Sequence, residues 1–83
     1  MTDREKLMRM FQALVLEITG KPLPDVAPDA SIADLGVDSV SVAEIVARIE
    51  DDLGIEVPAA RWMRVKTVAE LFDAVEEAPR KPG

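Results

Sequence analysis

Asp34-Leu35-Gly36-Val37-Asp38-Ser39-Val40-Ser41-Val42 is the stretch on which the reading of this chain turns. Before it lies an irregular segment carrying Pro22, Pro24 and Pro28; after it Val42, Ile45, Val46, Ile49 and Leu53 form one apolar stripe at helical spacing. Ser39 therefore stands at the mouth of a strongly amphipathic helix, and Asp38 is a candidate cap for it. Serine hydrolysis needs a base for the hydroxyl proton and donors for an oxyanion. The chain has no histidine and no cysteine to serve Ser39 in that way. A hydroxyl so placed is a poor nucleophile for an enzyme of its own and a good target for another enzyme.

Working outward, the second helix is expected over residues 39–53, with Gly54 as its left-handed stop. The first helix is expected over 2–19, where Leu7, Phe11, Leu14 and Ile18 form a stripe widened by Met8 and Val15, ended by Gly20 and Pro22. Between them runs a long connection over 20–38, with Val26, Ile32 and Leu35 as expected tethers. Ile55 and Val57 should face one way in an extended segment. A short third helix is expected at 59–64, and a last helix at 67–78 should bury Val68, Leu71, Phe72 and Val75. Thr2-x-x-Glu5, Ser31-x-x-Asp34, Ser41-x-x-Glu44 and Thr67-x-x-Glu70 all match the capping-box pattern. The reading is all-α: one domain over 1–78, three longer helices plus a short third, and a mobile tail over 79–83.

Composition narrows the function. The 83 residues allow one small domain, which buries only about 60% of its unfolded surface. With 48% hydrophobic residues a core is available. Sixteen acidic against ten basic residues give a net charge of −6, which argues against nucleic acid, whose phosphates require a basic face. No apolar run spans a membrane and the charged start is no signal peptide, so a cytoplasmic monomer is expected. The carboxylates lie on helix faces without ligand spacing, so no metal site is expected.

Leu35-Gly36-Val37-Asp38-Ser39-Val40 resembles the phosphopantetheine attachment motif of acyl carrier proteins, a Gly-x-Asp-Ser-Leu core opening the second helix. Leu53-Gly54-Ile55-Glu56-Val57-Pro58 resembles that family's turn out of the second helix, and Thr67-Val68 the start of its last. The likeness covers nearly the whole chain and implies a four-helix bundle of acyl-carrier type. It further implies that a phosphopantetheinyl transferase moves 4′-phosphopantetheine from coenzyme A onto Ser39, whose arm then holds acyl groups as thioesters. Asp38 matches the aspartate that helps the serine face the transferase and its metal. The partners so implied are an acyl-loading ligase or acyltransferase and a ketosynthase or other pathway enzymes. Physical chemistry agrees with the placement, since a phosphodiester at a helix N-terminus gains about 0.3–1 kcal/mol.

Two departures bear on partners. Val40 stands where the family usually has leucine, an apolar position that commonly docks into enzymes. With Ala43, Glu44, Ala47 and Asp51 it forms an outward face of the second helix, and Glu50 and Asp52 extend its acidic rim. Ala59-Ala60-Arg61-Trp62-Met63-Arg64-Val65-Lys66 carries no acid, unlike many fatty-acid carriers. Trp62 is expected half-buried and Met63 outward, as part of a partner surface or of a cavity lining. These departures favour polyketide or related specialised metabolism over bulk fatty-acid synthesis. The start at Met1 and the end soon after the fourth helix give the expectation of a freestanding carrier. The alternatives are an aminoacyl or peptidyl carrier of a nonribosomal pathway, or an unmodified helical interaction module. On any of these readings the chain is not an enzyme.

Overall fold

The computed structural model describes residues 4–23 and 26–82. Four α-helices follow one another, α1 Arg4–Thr19, α2 Ser39–Leu53, α3 Ala59–Trp62 and α4 Val68–Glu77, with one 3-10 turn at Ala33–Leu35. Among the described residues the only β pairing is two isolated bridges. The expectation of an all-α bundle with one short helix is met. The start of α1 expected at Thr2, and the Thr2–Glu5 box, lie outside the described residues.

α2 forms where the periodicity required it. Val42, Ile45, Val46 and Ile49 are buried on one face, each worth about 1.5–3 kcal/mol when fully removed from water. Gly54 closes the helix at φ 64°, a left-handed conformation that suits glycine, and its N–H donates to the Glu50 carbonyl. α1 contributes Leu7, Phe11, Leu14 and Val15 to the core. Ile18, expected in the main stripe, is only half-buried at its end. α4 buries Val68, Leu71, Phe72, Ala74 and Val75. Phe11 and Phe72 meet edge to face with centroids 6.2 Å apart. Arg4 lies 5.7 Å from the Phe72 ring centre and grips Glu76 with two bonds of 2.7 and 2.8 Å, joining α1 to α4.

The long connection is held by backbone bonds as well as side chains. Ile32 N–H donates to the Lys66 carbonyl, Val68 N–H to Ala30 and Ala69 N–H to Pro28, with Ser31 bridged to Thr67. Ile32 and Val37 are buried, while Val26 and Leu35 pack half-buried against the core. The mouth of α2 is thereby fastened to the start of α4.

Of the capping boxes, Thr67–Glu70 is complete: the Thr67 hydroxyl accepts the Glu70 N–H and the Glu70 carboxylate accepts the Thr67 N–H. Ser41–Glu44 is not a box, because Asp38 caps α2 and takes the Ser41 N–H. Ser31 pairs with Thr67 instead of capping, and Ile32 occupies the cap position of the 3-10 turn without a side-chain bond. The tail, expected to be mobile, is paired in part: Glu56 N–H donates to the Pro79 carbonyl and Lys81 N–H to the Gly54 carbonyl. Backbone groups that the turn after α2 leaves without helical partners explain the pairing.

Candidate functional site

Gly36 sets the entry to the site. At φ 80° it turns the chain out of the 3-10 helix and into the extended residues before α2, its N–H bonded to the Ala33 carbonyl. Val37 then plugs the core. Asp38 follows as the cap, extended at φ −85° and ψ 175°, with Oδ1 accepting the Ser41 N–H at 2.8 Å. That bond, assisted by the Ser41 hydroxyl and the Val40 N–H, holds the Asp38 carboxyl below its ordinary 3.8. Ser39 is consequently the first residue of α2 and is exposed to solvent.

Ser39 also stands on the rim of a groove of about 670 Å³. One wall comes from α2 through Val40, Val42 and Ala43, and the other from α3 and its exit through Trp62, Met63 and Val65. Ile32 and Val37 form the floor from the connecting segment. The structure thus brings Ser39, Val40, Ala43, Trp62 and Met63 to one place. Trp62 is half-buried against the core, whereas Met63 is 71% exposed and Val40 68% exposed. Ser31, Ala33 and Lys66 also line the groove, and sequence reasoning did not find them as site residues. Their signal lies in contacts between the connection and the start of α4, which no local pattern reports.

The remaining candidates lie along α2, outside the groove lining. Glu44 and Ala47 are exposed there. Asp51 is exposed but ion-paired with Lys81 at 3.1 Å. Glu50, expected in the acidic rim, turns inward instead: it is half-buried and its Oε2 accepts the Val57 N–H at 2.7 Å. The reason is the turn at Gly54, which brings the Val57 N–H back over the last turn of α2. Among the described residues no group of acidic side chains is arranged to hold a metal ion.

A phosphopantetheine arm fits these residues. Its attachment requires an exposed serine, and its apolar cargo requires a surface nearby; Ser39 and the groove meet both requirements. Comparison with known proteins agrees. The family described as "Phosphopantetheine attachment site" matches residues 11–75, a span that contains all of α2 and α3. The acyl carrier protein of Acidothermus cellulolyticus is 32% identical over 77 residues, covering 92% of both chains. The non-reducing polyketide synthase Dhc5 of Alternaria cinerariae is 39% identical over 80 residues, 89% of this chain but only 4% of that enzyme. The crystal structure of an acyl carrier protein from Thermotoga maritima superposes with a TM-score of 0.82 at 28% identity, covering 89% of this chain and 87% of that one. The chain belongs to the acyl carrier protein family, whose members bear a 4′-phosphopantetheine group and act as carriers without catalytic activity of their own.

Proposed function

We propose that Ser39 is the residue that bears the arm, and that this carrier serves polyketide or related specialised metabolism. The observation that carries the first part is the placement of an exposed Ser39 directly after the Asp38 cap and on the rim of an apolar groove. The arm, when attached, supplies a terminal thiol that holds an acyl group as a thioester. The chain's own residues do the rest. Asp38 fixes the first turn of α2 so that the Ser39 hydroxyl faces outward to the transferase. Val40, Ala43, Trp62 and Met63 offer apolar surface within reach of the attachment point, while Glu44, Ala47 and Asp51 extend the face that pathway enzymes approach.

Similarity to polyketide synthases supports the second part, while a transferase and pathway enzymes are the partners that membership of the family implies in general. The acid-free segment from Ala59 to Lys66 points the same way. Residence in the cytoplasm belongs to this reading; among the described residues no helix is long and apolar enough to cross a membrane.

Intact mass after incubation with coenzyme A and a broad-specificity transferase tests the attachment site. One phosphopantetheine should be gained by the native chain and none by Ser39→Ala. Equal gain by Ser39→Ala removes Ser39 from the role. Loading of the product with acyl and aminoacyl donors then tests the pathway: efficient aminoacylation by a nonribosomal adenylating enzyme would favour the peptidyl alternative.

A further inference from the structure

In a molecule of net charge −6 the exit from α3 is the exception. Arg61, Arg64 and Lys66 lie within six residues of one another, and all three are exposed. The acids facing them are already engaged. Glu77 pairs with Arg61 at 3.1 Å, and Asp73 pairs with Arg4. The Glu70 carboxylate accepts the N–H groups of Lys66 and Thr67. Among the described residues, the Arg64 and Lys66 side chains are in no ion pair and no hydrogen bond. Lys66 lines the groove beside Trp62 and Met63, and Arg64 follows Met63 directly.

The acidic face of α2 is weaker than its sequence suggests. Glu50 is turned to the Val57 N–H, Asp51 is paired with Lys81, and Arg48 on the same helix is paired with Glu17. Glu44 and Asp52 on α2 are exposed and in no ion pair, but neither lines the groove; among the described residues the one charged side chain in its lining is Lys66, so the charge at the groove itself is positive. Two of the three large hydrophobic side chains exposed among the described residues, Val40 and Met63, flank the same groove.

Resting on the reading of the chain as a carrier, we infer that α3 and its exit dock an acidic enzyme surface. An apolar side chain of the partner enters between Val40 and Met63, and the partner's carboxylates meet Arg64 and Lys66. Charge complementarity selects this occupant over a basic surface, and it sets the orientation of approach more than the affinity. Contacts of this kind between exposed groups weaken as salt rises.

Trp62 is the chain's one tryptophan and lines the groove, so a change at the groove is read in its emission. The probe is a synthetic amphipathic helical peptide with leucine on one face and glutamate on the other, compared with a lysine-for-glutamate version. Titrations use Ser39→Ala, which keeps the docking question separate from the attachment question. At low salt the glutamate peptide should give a saturable change in Trp62 emission, and the lysine peptide should bind about tenfold more weakly. Arg64→Glu and Lys66→Glu, each checked for native helicity by circular dichroism, should weaken the glutamate peptide by a similar factor and improve the lysine one. Equal binding of both peptides, no response to the glutamate peptide, or indifference to Arg64→Glu and Lys66→Glu would each overturn the inference. A preference for the lysine peptide would assign the groove to basic partners instead.

Discussion

Asp38 does two jobs at the scale of a single residue. It caps α2, and it fixes the turn that leaves Ser39 outward. Its carboxyl lies below its ordinary 3.8 because the Ser41 N–H stabilises the charged form. Glu70 lies below its ordinary 4.5 for the same reason, with the Lys66 and Thr67 N–H groups as donors. The direction of linkage follows: the unfolded chain binds these protons more readily, so this part of the stability is present above the ordinary values and is lost as pH falls through the folded ones. Thermal midpoints should accordingly drop between pH 6 and pH 3. Asp38→Asn, which keeps an acceptor oxygen but has no proton to gain, should show a shallower drop than the native chain. Parallel curves for the two proteins would show that the cap contributes nothing to acid sensitivity.

Among the elements, those whose signals are local were the ones legible in the sequence. The limits of α2 at residues 39 and 53 followed from a five-residue apolar stripe and Gly54, and the Thr67–Glu70 box announced α4. The Asp38 cap expected from the sequence is the one that forms, and the Ser41–Glu44 match does not make a box because Asp38 has the first claim on the Ser41 N–H. Two hydroxyl or carboxylate candidates for one helix start cannot be ranked from spacing alone; the extended backbone at Asp38 decides between them. Glu50 was misread as surface for a different reason, since its partner lies seven residues on and beyond a turn. The α4 cap gives a quantitative check. Thr67→Ala removes the hydroxyl that accepts the Glu70 N–H and should cost about 1 kcal/mol, within the range of about 0.5–2 for lost caps. Because Thr67 also bridges to Ser31, hydrogen exchange should quicken in the connecting segment as well as in the first turn of α4. Quickening confined to α4 would mean that the backbone bonds from Ile32, Val68 and Ala69 hold the connection without help from the cap.

For the molecule as a whole, the Ser39 motif was readable because it is contiguous, whereas the groove beside it was not, because its walls and floor come from three separate stretches of chain. The same holds for the C-terminal strap. Nothing local to Pro79-Arg80-Lys81 predicts pairing, yet its backbone joins Gly54 and Glu56 on either side of Ile55, which is buried. Two interactions are candidates for the strap's contribution to stability: the Lys81–Asp51 ion pair and the backbone pairing. The ion pair is 42% and 76% exposed at its two side chains, so solvent and salt screen most of its attraction. The two backbone bonds at about 0.5–1.5 kcal/mol each are the larger contribution. A chain ending at Ala78 should therefore lose about 1–3 kcal/mol, and in a domain of this size each kcal/mol lowers the thermal midpoint by about 4–8 °C. Lys81→Ala, which keeps both backbone bonds, should stay near the native midpoint and lose what little difference it has in high salt. If Lys81→Ala falls as far as the shortened chain, the ion pair holds the strap and the backbone pairing is secondary. The shortened chain should still gain its arm, because the strap meets the end of α2 opposite to Ser39.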